Sequence, residues 1–177
     1  MSNWIVEKRT SIFRTGIFEL ESLNCRHPEK PDSHTFFILN SPDWINVVAV
    51  DEEGRFITVN QHRLGTGECT IETPAGLIEP GEAPETAACR ELLEETGYVP
   101  GELRLMKRLS ANPAIMNNHI YFFRATGCRK AASQDLDAAE DIEVQLLTRD
   151  EIQAMLDGGE INHSIIVTAL MLFFSGN

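Results

Sequence analysis

The stretch that most constrains this chain is residues 90–98, "RELLEETGY". Three glutamates stand three and four residues apart in it, an arrangement whose repulsion weakens a helix. Everything around them nevertheless spells a helix over 84–96. Pro84 fits the first turn, Glu85 lies near the positive end, and Gly97 supplies the stop. At 100° per residue, Glu91, Glu94 and Glu95 fall on one arc, while Cys89, Leu92 and Leu93 fall on another. The pattern predicts a helix that buries one side and presents three carboxylates on the other. Oxygen donors in this number suit a hard cation, Mg²⁺ or Mn²⁺, better than zinc; a solvated acidic face is the competing reading. Arg90, one turn before Glu94, is placed to pair with a further acid such as Glu82 and so fix the helix against its loop.

The charge balance narrows the partners. With 15 basic and 27 acidic residues the net charge is -12, which argues against a nucleic-acid binder, whose affinity comes from Lys and Arg. An anionic small molecule would need help from metal ions. At 177 residues the chain suits one domain, or one with an appended arm. Cys25, Cys69, Cys89 and Cys128 show no CxxC spacing and no histidine at ligand spacing, so we expect reduced thiols in a cytoplasmic protein. No early apolar run suggests a signal peptide, and "IIVTALMLFF" is only ten residues long, half a membrane span and suited to a buried helix.

Alternation of apolar residues predicts strands at 4–9, 17–26, 35–39, 44–50 and 55–61, with "DEEG" at 51–54 as a hairpin turn. The proline-containing "HPEKPDS", 27–33, reads as a loop separating an N-terminal arm from the body. Beyond the central helix come strands at 103–110 and 119–125, an acidic loop at 129–141 and a strand at 142–147. "TRDE", 148–151, is a capping box that opens a short helix, and a last helix spans roughly 162–174. This is an α+β chain, a mixed sheet with few helices around it.

The wider spacing of the central segment is specific. From Gly76 there are five residues to Glu82, seven more to Arg90 and Glu91, then Leu92, Glu94, Glu95, Gly97 and the apolar Tyr98. This matches the Nudix box, here residues 76–98, without a departure, and the chain therefore resembles the Nudix hydrolases. "CTIETPAGLIEPGE", "QHR" at 61–63, Pro113 and "DGGEINHSIIVTALMLFF" are similar to segments of the ADP-ribose pyrophosphatase subgroup. The resemblance implies a mixed sheet sandwiched by helices (α/β/α) over 41–177, preceded by a β-arm over 1–40 that serves a homodimer.

It also implies chemistry. A diphosphate repels nucleophiles, so its hydrolysis needs cations on the phosphate oxygens, an oriented water and a base. By the resemblance, Glu91, Glu95 and the Ala75 carbonyl are metal ligands, Glu94 is a ligand or catalytic water orienter, and Gly76, Glu82, Arg90 and Gly97 shape the box. Arg63 suits a phosphate or a surface ion pair. Glu72 suits hydrogen bonds from a base or ribose, or else faces solvent. Trp4, with Arg9 near it, stands where the resemblance places an aromatic against adenine, although a packed strand residue is the plainer reading. The expected loop base is replaced by Ala138; Glu140 and Asp137 flank it, and Glu94 is the other candidate. The implied activity is Mg²⁺-dependent cleavage of ADP-ribose to AMP and ribose 5-phosphate. Another nucleoside diphosphate sugar such as GDP-mannose, or a non-catalytic sensor of such sugars, is the alternative.

Overall fold

The computed structural model describes residues 3–138 and 140–176. Its contacts divide the chain into two compact units, one of Met1–Asp43 with Leu109–Ile120, the other of Trp44–Arg108 with Tyr121–Asn177.

In the first unit β1 (Ile5–Arg14), β2 (Glu19–Arg26) and β3 (Ser33–Asn40) form an antiparallel three-stranded sheet. The segment 27–33, read from sequence as a loop between an arm and the body, lies inside the first unit instead. It is the turn of the β2–β3 hairpin, closed by Arg26 opposite Ser33 and Cys25 opposite His34. A polar loop looks alike from sequence whether it joins two strands of one sheet or two domains; pairing decides. β1 likewise runs past the predicted end at residue 9, because Thr10 to Arg14 are held by Glu19 to Ser22 across the sheet. The 109–120 segment joins this unit through Leu39 N–H, which donates to the Ile115 carbonyl at 2.8 Å.

The second unit contains β4 (Trp44–Asp51), β5 (Phe56–Arg63), β6 (Glu68–Glu72), β7 (Ala75–Leu77), α1 (Pro84–Thr96) and β8 (Tyr98–Val99). The rest is β9 (Glu102–Ser110), β10 (His119–Lys130), β11 (Ile142–Leu147), α2 (Arg149–Gly158) and α3 (Ser164–Phe174), the β9–β10 tip being assigned to the first unit. The sheet order is β11-β5-β4-β10-β8, with β6 on β5, β7 on β4 and β9 on β10.

The α/β/α layering follows from strand alternation. Ile45, Val47, Ala49, Ile57, Phe123 and Ala125 form one core with Ala87, Ala88 and Leu92 of α1. Phe56 points the other way and meets Phe173 and Phe174 of α3 at 5.3 and 5.8 Å between ring centroids. The apolar C-terminal stretch is thus a core helix, and among the described residues no helix is long and apolar enough to cross a membrane.

Local signals hold where they are strongest. Gly97 takes a left-handed conformation, φ 72°, which only glycine adopts freely, and its N–H closes on the Leu93 carbonyl at 2.6 Å. Thr148 and Glu151 make both bonds of the capping box. Asp51 Oδ1 accepts from the N–H groups of Glu53 and Arg55, shaping the 51–54 turn. None of the four cysteines is paired.

Candidate functional site

The glutamates of α1 do not share one face. The buried side of the helix is Ala87, Ala88, Leu92, Glu95 and Thr96, because residues 88, 92 and 95 are four and three apart and stack along one stripe. Glu95 is only 4% exposed, so neither a solvated acidic face nor a fully outward triad describes it. Cys89 and Leu93, predicted for the core side, are half-buried instead. Glu91 and Glu94 flank the stripe, half-buried at the edge of a cleft.

That cleft has a volume of about 470 Å³ and is bounded by β7, the loop after it, α1 and the acidic loop before β11. Gly76 explains how β7 comes so close to α1: a Cβ there would stand 2.0 Å from Glu91 Oε1. Ala75 N–H donates to Glu95 Oε2 at 3.2 Å. Arg90 organises the mouth. Its guanidinium grips both oxygens of Glu82 at 2.9 and 3.0 Å, donates to the Leu77 carbonyl at 3.1 Å, and reaches Glu91 at 2.8 Å and Glu94 at 3.0 Å. The helix is so fixed to its loop, as the sequence suggested. Because Arg90 draws Glu91 and Glu94 outward while Glu95 turns to Ala75, the carboxylates do not close on a common point. Among the described residues no three His, Cys, Asp or Glu side chains form a ready ligand group.

The electrostatics are uneven. Burial, then repulsion from Glu91, raises the Glu95 carboxyl well above its ordinary value. Burial likewise raises Glu91, against the pull of Arg90 and with a push from Glu94 and Glu140. Glu82 is lowered by its Arg90 bonds. A buried carboxyl and a half-buried one that resist ionisation side by side are a place where added positive charge is strongly favoured, so the donor set fits a hard divalent cation.

The acidic loop joins the cleft through bonds that the sequence did not reveal. β10 continues past residue 125 to Lys130, since Arg129 and Lys130 pair with Val99 and Tyr98 of β8. The loop therefore starts at 131, and its backbone is tied to the end of α1. Asp135 N–H donates to the Glu94 carbonyl at 2.9 Å, and Gln134 Nε2 donates to the Glu95 carbonyl at 2.7 Å. This docking puts Asp135, Asp137 and Glu140 on the cleft wall. Asp137 and Glu140 are bonded to each other, with Asp137 N–H donating to Glu140 Oε2 at 3.0 Å and Glu140 N–H to the Asp137 carbonyl at 2.9 Å. Ala138 lies in the exposed turn between them. Sequence reasoning missed Gln134 and Asp135; the acidity of the loop was the available signal, its docking was not.

Arg63 and Glu72 are brought together. Glu72 is 1% exposed and accepts from Arg63 Nε and Nη2 at 2.6 Å each and from Thr70 Oγ1 at 2.6 Å. His163 Nδ1 stands 3.5 Å from the same carboxylate, a neighbour with no sequence signal. Burial opposes the charge, yet these donors hold the Glu72 carboxyl at about 2. Arg63 also feels the charges of Glu95 and Glu140, which places its guanidinium within electrostatic reach of the cleft. Trp4, Arg9 and Pro113 belong to the first unit. Trp4 lies just before β1, with its ring edge-on to His27, His34 and Phe36 at 5.0 to 5.5 Å, and Arg9 pairs with Glu21 at 3.2 Å.

Comparison with known proteins agrees with this geometry. The family model described as NUDIX domain matches residues 42–169. The chain is 32% identical over 125 residues to an ADP-ribose pyrophosphatase of Bacillus subtilis, covering 70% of this chain and 68% of that one. It is 36% identical over 109 residues to a GDP-mannose pyrophosphatase of Citrobacter koseri, 60% of this chain and 56% of that protein. Among solved structures, one titled as an ADP compounds hydrolase superposes with a TM-score of 0.87 at 21% identity over 99% of this chain and 94% of its own, a likeness of fold. With the family model spanning the strands from β4 onward, α1 and the first part of α3, the chain belongs to the Nudix family as a hydrolase.

Proposed function

We propose that this hydrolase cleaves the diphosphate linkage of a nucleoside diphosphate sugar, with ADP-ribose, giving AMP and ribose 5-phosphate, as its preferred substrate. The observation that carries the reading is the pair of neighbouring carboxyls that resist ionisation, half-buried Glu91 and buried Glu95, at a cleft whose opposite wall is the docked loop of Asp135, Asp137 and Glu140. The similarity to an ADP-ribose pyrophosphatase supports the sugar assignment. The similarity to a GDP-mannose pyrophosphatase favours GDP-mannose as the second reading.

Mg²⁺ or Mn²⁺ would be held by Glu91, Glu94, Glu95 and the Ala75 carbonyl, and would supply positive charge to the diphosphate oxygens and acidify a water. The chain's own residues do the rest. Arg90 fixes α1 against the loop that carries Gly76, and Gly76 leaves the space that the Glu91 carboxylate occupies. Arg63, oriented by Glu72, offers its remaining donors to the phosphates. Glu140, or Asp137 beside it, takes the proton of the attacking water, with Glu94 as the other candidate base.

Trp4, Arg9 and Pro113 are the proposed contacts of the base and ribose, and Trp4→Ala should raise KM with little change in kcat. A homodimer is the proposed assembly, supported by exposed Ile12, Phe13, Ile17 and Phe37 on the N-terminal unit. The cytoplasm is the proposed compartment, in keeping with four free thiols. The deciding experiment is a panel of nucleotide sugars assayed with Mg²⁺ by coupled phosphate release. ADP-ribose should give the highest kcat/KM; a tenfold preference for GDP-mannose or a UDP-sugar would replace it, and turnover that survives chelation would remove the metal from the reading.

A further inference from the structure

The sheet face opposite α1 carries a second polar cavity, about 240 Å³ in volume, lined by Glu102 and Arg104 of β9 and Arg124 and Thr126 of β10. We propose that it is a binding site for a phosphate group, free or as a small monoester, separate from the catalytic cleft.

Alternation places it. Phe123 and Ala125 point into the core beneath α1, so Arg124 and Thr126 project from the other face of β10. Arg124 confirms this by lying over the ring of Phe173 of α3, 4.9 Å from its centroid. The stacked ring restricts the guanidinium while leaving its edge donors available.

The cavity gathers positive charge in an otherwise acidic molecule. Acidic residues outnumber basic ones 27 to 15, and Arg9, Arg14, Arg26, Arg55, Arg63 and Arg90 each pair with a carboxylate. Among the described residues neither Arg104 nor Arg124 has such a partner, although both line one cavity and Glu102 stands at its exposed wall. Two guanidinium groups facing one space repel each other, and an anion between them removes that repulsion. Planar forks with a hydroxyl beside them match phosphate oxygens better than a spherical anion such as chloride. The volume is several times the roughly 30 Å³ that one water takes in the liquid, which leaves room for a phosphate and a short organic substituent.

The test is binding, read apart from catalysis. The ¹⁵N-labelled full chain, kept in chelator, is titrated with inorganic phosphate and with glycerol 3-phosphate at constant ionic strength, with chloride as control. Saturable shifts are expected at the Thr126 amide and at the Arg104 and Arg124 side-chain resonances. A stronger response to glycerol 3-phosphate assigns the site to monoesters, and an equal one to the bare phosphate group; both support it. Arg104→Ala removes an exposed side chain, so the fold should stay, and binding should weaken at least about tenfold. Arg124→Ala should do the same while also loosening Phe173. Glu91→Gln should leave the binding unchanged. The proposal is overturned by shifts confined to the surroundings of Glu91 and Arg63, or by no saturation at roughly 30 mM, where a millimolar site is full. It is also overturned if Arg104→Ala turns a larger species into a smaller one in sedimentation without any phosphate response, since the arginines then serve a second copy of the chain.

Discussion

Replacing Glu72 by Gln keeps the shape of a 1% exposed side chain and removes its charge. The carboxyl stands at about 2 against an ordinary 4.5, because Arg63, His163 and Thr70 together outweigh the cost of burial. At about 1.4 kcal/mol for each tenfold in ionisation, the gap is worth about 3 kcal/mol to the folded state at neutral pH. In a chain of this size that lowers Tm by about 6 to 12 °C. The sign follows from a depressed folded value: the contribution is whole above about pH 4.5 and is lost as pH falls through about 2. Urea unfolding of wild type and Glu72→Gln should therefore differ by about 3 kcal/mol at pH 7 and by less than about 1 kcal/mol near pH 2.5. Arg63 is 43% exposed, so water can solvate it in the variant and the loss should not grow further. Equal stabilities at pH 7, or a gap at pH 2.5 as large as at pH 7, would refute the reasoning.

Glu95→Gln should act in the opposite direction on stability. Its carboxyl is raised, so the wild type loses stability as pH rises from about 4.5 through the folded value, and the variant does not. Thermal unfolding in chelator should show the variant more stable at pH 8 and equal to wild type below pH 4.5, while turnover falls at least about a hundredfold, as it should for Glu91→Gln. Gly76→Ala places a Cβ where the Glu91 carboxylate lies. The displaced group is the end of a flexible side chain, so Tm should hardly move while kcat drops on the order of a hundredfold; an active variant would show that Glu91 needs no fixed place. The pair Glu140→Gln with Asp137→Asn should lower kcat by about 10² to 10⁴ at saturating Mg²⁺. If more than about a third of the rate survives, far above that range, the loop is not the base and Glu94 takes the role.

What the sequence determined by itself was local or periodic. The start and stop of α1, the capping box at Thr148, the 51–54 turn and the spacing of the box residues all depend on a few neighbouring residues, whose conformational preferences act without help. The Arg90–Glu82 grip was legible for the same reason, being one loop wide. What only the tertiary structure decided is how those pieces face one another. Helical periodicity grouped Glu95 with Glu91 and Glu94, but the packing of Ala88 and Leu92 against the sheet turned Glu95 inward. Ion pairs across a sheet or between distant segments leave no mark on the residues that form them. Glu72 thus looked like any strand glutamate until Arg63 and His163 stood beside it. The acidic loop, too, had composition but no address. Its place in the cleft comes from backbone bonds to the end of α1, spanning some forty residues of chain, and backbone donors and acceptors are the same at every residue, so no side-chain pattern could announce where they would meet.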